Sequence, residues 1–327
     1  MMTARPMRDF LIDTDTASDD AVALMLALHA PGVTVRGITT VAGNVGAEQA
    51  ARNALLVTEL CGVDVPVFVG CDRPMLRPVS DASWFHGRDG MSDAGFAPER
   101  RVPEAGHGVD ALLELSRRHP GCTLVTLGPL TNIAVAIMRD QTFRSRVGRC
   151  VVMGGNPCCV GNVTPAAEYN IWCDPEAAQI VCRSGLPLEW VGWHLSRGDA
   201  VLNASQIDTL LASPSPLARF AVECNRTAMR AYETQTGEIG ISLPDPVAMA
   251  VALDPSIVTH ASDHRVLVEC HSELTRGMTV VDQLDVGDDA RNAGQWRHDE
   301  RPVRPSKVVW TIDVPAFKRM LIDAISA

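Results

Sequence analysis

Four aspartates, Asp13, Asp15, Asp19 and Asp20, fall within eight residues of one another. Carboxylates this close repel strongly unless positive charge offsets them. A helix N-terminus contributes only about half a unit charge. A hard divalent cation with oxygen ligands is the natural counterpart of such a cluster. Helix capping by Ser18 or Asp19 accounts for one or two of the four acids, and not for all.

The elements around the cluster read as strand and helix in alternation. Asp9–Ile12 is a short apolar run that forms a strand, and Ser18-Asp19-Asp20 precedes the strong helix formers Ala21–Leu28. Val33–Val41 and Val65–Val69 read as strands, separated by a helix over Ala47–Leu60. Downstream, helices over Gly108–Arg118, Leu130–Met138 and Pro175–Arg183 interleave with strands over Thr123–Leu127, Gly148–Met153 and Leu188–Gly192. After Asp199 the chain becomes mainly helical. It ends with strands over Arg265–Cys270, Met278–Val281 and Lys307–Ile312 and a helix from Val314. This order predicts an α/β fold, an open and mostly parallel sheet flanked by helices with a Rossmann-like core. No linker divides the chain, so residues 1–327 are expected to form a single domain. Ligands of such sheets bind beyond the carboxyl ends of the strands, where Asp13–Asp20, Thr40–Asn44, Leu127-Gly128-Pro129 and Gly154–Asn170 all fall.

Composition narrows the partners. The net charge is −10 and no basic patch stands out, which disfavours a nucleic-acid polymer. The longest apolar run, Ala21–Leu28, is too short to span a membrane. The N-terminus lacks the form of a secretory signal, and the expected location is cytoplasmic. The 10 cysteines form no C-x-x-C pair, so neither a disulfide framework nor a zinc site is expected.

Asp13-Thr14-Asp15-Thr16-Ala17-Ser18-Asp19-Asp20-Ala21 resembles the D-x-D-x-x-x-D-D-A signature of the nucleoside hydrolase family, the inosine-uridine preferring type. Further segments follow in the family's order: Gly37–Asn44, His86-Gly87-Arg88-Asp89-Gly90, Leu127–Ala134, Met153-Gly154-Gly155, Gly161–Asn170, Asp245-Pro246 and Leu274–Asp282. The resemblance implies hydrolysis of the N-glycosidic bond of a small-molecule ribonucleoside to base and ribose. It implies a Ca2+ held by Asp15, Asp20, Asp245 and the backbone carbonyl of Leu127. A water bound to that ion would be the nucleophile and Asp15 its general base. Asp19, Asn44, Met153, Asn162, Glu168 and Asn170 would surround the ribose, with Tyr169 lining the pocket. A homodimer or homotetramer is the family's usual assembly.

The residue types suit that chemistry. Glycosidic cleavage passes through an oxocarbenium-like cation, which carboxylates stabilise. An all-oxygen ligand set favours calcium over zinc. Taken alone, Asp245 before Pro246 reads better as a helix cap. Two other functions fit parts of the pattern. A metal-dependent phosphatase is suggested because Asp13-Thr14-Asp15 resembles the haloacid-dehalogenase nucleophile loop, but the only lysines are Lys307 and Lys318. A non-catalytic ribose or nucleoside binder would have no need of Asp15 as a base.

One position departs from the family. Many members carry histidine immediately before the late metal aspartate, and purine-specific ones carry tryptophan; this chain has Pro244. Proline neither donates a proton nor stacks like an indole. His86 is the candidate leaving-group acid in its place, on the expectation of a near-neutral pKa. Trp84 is a candidate stacking partner for the base, and Tyr232 and Glu233 lie on the segment leading into Pro244.

Overall fold

The computed structural model describes residues 7–292 and 303–326. Strand β1 (Arg8–Thr14) is flanked by β2 (Val33–Thr40) and β4 (Cys122–Thr126), both parallel to it. Phe10 and Ile12 pack into the core on one face of the sheet, and Leu11 into the core on the other, as period-two alternation requires. With β3 (Val67–Val69), β5 (Val147–Met153), β6 (Leu188–Val191), β9 (Val258–Val268), β10 (Thr279–Asp282) and β11 (Ser306–Ile312), the order is β10-β9-β11-β6-β5-β4-β1-β2-β3. Only β9 runs against its neighbours, pairing antiparallel with both β10 and β11. The chain leaves β1 toward β2 and β3, then returns to β4 on the other side. That reversal makes a crevice at the carboxyl end of β1.

The helices are α1 (Ser18–His29), α2 (Ala47–Leu60), α3 (Ser83–His86), α4 (Gly108–Arg118), α5 (Thr131–Arg139), α6 (Phe143–Arg146), α7 (Tyr169–Cys173) and α8 (Pro175–Cys182). They continue with α9 (Ala204–Leu211), α10 (Pro216–Glu223), α11 (Arg226–Thr236), α12 (Pro244–Leu253) and α13 (Val314–Ser326). Among the described residues no helix is long and apolar enough to cross a membrane.

Helices α1 and α12 lie side by side in the core, and their small residues Ala21, Ala23, Ala248 and Ala250 are fully buried. Arg8 donates to the carbonyls of Ala252 and Leu253, and Arg149 to those of Val251 and Ala252. Two guanidinium groups thus satisfy the C-terminus of a helix whose other end carries Asp245.

The alternation read from sequence holds, with local differences. Strand β9 begins at Val258, not Arg265. Its first half, Val258-Thr-His-Ala-Ser-Asp-His, is polar because it is only partly covered, so it carries no strand-like hydrophobic signal. A two-stranded ribbon, β7 (Leu202–Asn203) with β8 (Gly240–Ile241), interrupts the helical region. The cap of α1 is Ala17, with no side-chain cap bond, rather than Ser18 or Asp19. Asp20 in the first turn instead accepts from the Ala17 N–H at 2.9 Å. Likewise α12 begins at Pro244, so Asp245 sits inside its first turn and is not a cap.

Candidate active site

Strand β1 delivers Asp13 and Asp15 to the crevice, and the start of α1 delivers Asp19 and Asp20. The start of α12, more than two hundred residues later, delivers Asp245. All five carboxylates are buried. One oxygen each from Asp19, Asp20 and Asp245 lies within 4.8 Å of the others. Two helix N-termini, of α1 and α12, contribute these three side chains, and their partial positive ends offset some of the repulsion.

Burial is the chief cause that drives these carboxyls toward the protonated form, and mutual repulsion adds to it. Asp19 is pushed up to about 7 and Asp20 to about 6, while Asp15 and Asp245 are also raised well above the usual range. Asp20 has both oxygens in use, one accepting from the Thr14 hydroxyl at 2.5 Å and the other from the Ala17 N–H. Asp15 Oδ2 accepts from the backbone N–H of Asn44 at 2.6 Å. Asp15 Oδ1, Asp19 Oδ1 and Asp245 Oδ1 are buried without a hydrogen-bond partner among the described residues. Unpaired buried carboxylate oxygens are costly, and here several aim into one place. Three oxygens this close together can be drawn onto one cation with small side-chain movements, calcium–oxygen distances being about 2.4 Å. The all-oxygen donor set therefore fits a hard divalent cation.

The expected ligands are thus brought together in part. Asp20 and Asp245 belong to the tightest group, and Asp19, expected toward the ribose, stands with them. Asp15 lies against this group, close enough that its charge raises Asp245. The Leu127 carbonyl follows β4 at the same edge and accepts from Asn170 Nδ2 at 2.7 Å. Asn170 also reaches Met153 Sδ at 3.2 Å, so both expected ribose neighbours are tied together at the end of β5.

The other expected sugar contacts are engaged in holding loops. Glu168 caps α7 and is buried. Its two oxygens accept from the backbone N–H groups of Asn170, Ile171 and Gly155, and burial still pushes its pKa to about 7. Asn162 is exposed, with Oδ1 accepting from the Tyr169 N–H. The Tyr169 hydroxyl lies 3.1 Å from the Gly43 carbonyl and 3.2 Å from that of Ser80, linking α7 to two pocket loops. The Asn44 side chain makes no hydrogen bond among the described residues, while its backbone N–H donates to Asp15 and its carbonyl accepts from the Ala82 N–H.

The leaving-group candidates occupy α3, which packs against α11. His86 is buried, with Nδ1 2.8 Å from Ser18 Oγ and 3.9 Å from Asp19 Oδ1. Burial lowers its pKa to about 3, which corrects the near-neutral value expected from sequence: at pH 7 the imidazole is neutral. Trp84 is 61 % exposed, against the edge of Phe85 at the rim. Tyr232 is half-buried under the β8 turn at Gly240, and Glu233 is exposed.

Several supporting residues carried no signal when read one at a time. Asn132 at the start of α5 donates to Asp13 Oδ1 at 2.7 Å and to the Thr40 carbonyl, and accepts from the Cys71 N–H. It joins the ends of β1, β2 and β3. Asp13 also accepts from the Thr39 hydroxyl and is pushed up to about 7 by burial. Asp174 caps α8 while binding Thr131 and Met75. Each of these residues lies inside a segment quoted for the family resemblance or beside it, and that was the signal available.

A buried carboxylate cluster at the switch point of a parallel sheet, with an all-oxygen donor set, defines a class of metal-dependent hydrolases. The family model for inosine-uridine preferring nucleoside hydrolase matches residues 10–319. A pyrimidine-specific ribonucleoside hydrolase, RihA, from Shewanella sp. (strain MR-7) is 34% identical over 322 residues, covering 98% of this chain and 96% of its own. A plant nucleoside hydrolase, PpNRh1, superposes with a TM-score of 0.89 at 31% identity, covering 98% and 100% of the two chains. A purine-preferring ribonucleoside hydrolase from Gardnerella vaginalis does so with a TM-score of 0.84 at 30% identity, covering 98% of each. The chain belongs to the inosine-uridine preferring nucleoside hydrolase family and is an N-ribosyl hydrolase. That membership sets aside the phosphatase.

Proposed function

We propose that the protein cleaves ribonucleosides to free base and ribose, with calcium held by Asp15, Asp20, Asp245 and the Leu127 carbonyl. The observation that carries the calcium assignment is the set of unpartnered, buried carboxylate oxygens converging from α1 and α12. When bound, the ion orients and acidifies the attacking water. Asp15 would be the base that accepts a proton from the attacking water, through Oδ1, the oxygen left unpaired while Oδ2 accepts from the Asn44 N–H.

Asp19, Asn44 and Asn170 bind the ribose hydroxyls, and Met153 packs below the ring. The carboxylates also stabilise the positive charge that develops on the sugar. Glu168, Asn162 and Tyr169 serve the ribose by fixing the loop around Asn170, as their backbone bonds suggest. His86 serves the departing base as a neutral hydrogen-bond donor. A buried imidazole with a pKa near 3 holds no transferable second proton at neutral pH, but it can polarise a ring oxygen or nitrogen. Trp84 at the rim offers a face to the base. Relatives with pyrimidine and with purine preference both match this chain, so the proposal extends to ribonucleosides as a class.

The test is ribose release from a nucleoside panel, with protein as purified, after chelation, and after calcium is restored. The proposal expects loss on chelation and recovery with calcium. Undiminished ribose release from fully chelated protein would contradict it.

A further inference from the structure

Ser18 lies in the aspartate loop, yet it does not cap α1. Its residue is fully buried, and its hydroxyl lies 2.8 Å from His86 Nδ1. Its carbonyl accepts from Asn225 Nδ2 at 3.2 Å, with Cys224 Sγ 3.6 Å away. Ser18 is therefore pinned from the α10–α11 side by its backbone and joined to α3 by its side chain.

A buried hydroxyl needs an acceptor for its proton. Among the described residues the only partner of Ser18 Oγ is His86 Nδ1. If Ser18 donates, Nδ1 is the unprotonated nitrogen and the ring proton sits on Nε2. If instead Nδ1 carries the proton and donates to Ser18, the hydroxyl proton has no acceptor. The first arrangement satisfies both groups and leaves Nε2–H, which makes no other hydrogen bond among the described residues, as a donor. It also fixes the ring plane, since Phe85 packs on the imidazole at 4.9 Å between centroids.

We infer that Ser18 is a positioning residue for the glycosidic reaction: it holds His86 in the Nε2–H tautomer so that Nε2 donates a hydrogen bond to the departing base. This rests on the reading of His86 given above and goes beyond it, because it names the residue that sets which nitrogen carries the proton. The dependence is specific to the leaving group. A substrate whose leaving group departs without hydrogen-bond assistance has little need of Ser18.

The experiment pairs 15N NMR of the histidine rings with kinetics on uridine, inosine and p-nitrophenyl riboside. It uses wild type, Ser18→Ala, Ser18→Thr and His86→Gln, the last to assign the His86 ring signals. In wild type the His86 nitrogens should show the fixed Nε2–H pattern. In Ser18→Ala they should move toward the average of the two tautomers, and Ser18→Thr, which restores a hydroxyl, should return them. Ser18→Ala should also lower kcat on the nucleosides about tenfold more than on p-nitrophenyl riboside, with Ser18→Thr recovering most of the difference. Ring signals unmoved in Ser18→Ala overturn the inference at Ser18. If they move while His86→Gln lowers all three substrates equally, the reading of His86 itself fails and takes the catalytic role of Ser18 with it. Equal losses on all substrates in Ser18→Ala alone reduce Ser18 to a structural residue and overturn its role in the reaction.

Discussion

Loading calcium onto the chelated protein should release protons, in an amount that the carboxylate cluster sets. Carboxylates bind a cation only when ionised. At about pH 6, a group whose pKa is near 7 is about 90% protonated and one near 6 is half protonated. Asp19 and Asp20 are in these positions, and burial and mutual repulsion raise Asp15 and Asp245 in the same direction. Binding one ion should therefore displace at least about one proton at pH 6, fewer as the pH rises. The assay is titration calorimetry at one pH in buffers of different ionisation enthalpy, where the slope of heat against buffer enthalpy counts the protons. The binding constant should accordingly rise by at least about tenfold per pH unit near pH 6, flattening at higher pH. A zero slope across buffers, or an affinity independent of pH from 5.5 to 7.5, would refute the claim that these buried acids hold protons in the ion's place.

Four further outcomes follow from the same geometry. Asp15→Asn should lower kcat/KM by about a thousandfold or more with the fold unchanged by circular dichroism, since it removes the proposed base; near-full activity would take Asp15 out of that role. Gly43→Ala should cost most of the activity, because a Cβ there meets the Asp15 carboxylate directly; a fully active variant would show that Asp15 can be displaced freely. Ribonucleosides should exceed 2′-deoxyribonucleosides in kcat/KM by at least about a hundredfold, measured on matched pairs, because a site that pairs with a hydroxyl is left unsatisfied without it. The melting temperature of chelated protein should fall as pH rises from about 6.5 to 8. Carboxyls with raised pKa contribute stability that is present below the unfolded value of 3.8 and lost as pH climbs through the folded values. His86 has the opposite sign, its contribution present above 6.5 and lost as pH falls toward about 3, so it does not mask the decline. A melting temperature that rises over that interval would contradict the carboxylate shifts.

What the sequence made legible is the part that depends on contiguous residues. Four acids after an apolar strand announce a site, and the alternation of strands with helices places Asp15, Asn44 and Leu127 on one edge. Asp245 shows the limit. Its neighbours describe a helix start, and only packing of α12 against α1 turns it into a member of the cluster. Ser18 shows the same limit in reverse: its position suggests a cap, yet burial beside His86 redirects its hydroxyl to an imidazole sixty-eight residues away. Asn132 was invisible as a hub because its three partners come from β1, β2 and the loop after β3. The first half of β9 was missed because partial exposure left it polar. The pKa of His86 could not be read either, since it is burial that lowers it.

One ion held jointly by acids from the starts of α1 and α12 is the centre of the proposed site. Equilibrium dialysis against labelled calcium measures this without reference to turnover. Wild type should bind one ion per chain at the site, and Asp20→Asn and Asp245→Asn should each weaken that binding by about a hundredfold or more while remaining folded. Unaltered calcium binding in folded Asp245→Asn protein would contradict the convergence of α1 and α12 on a single cation.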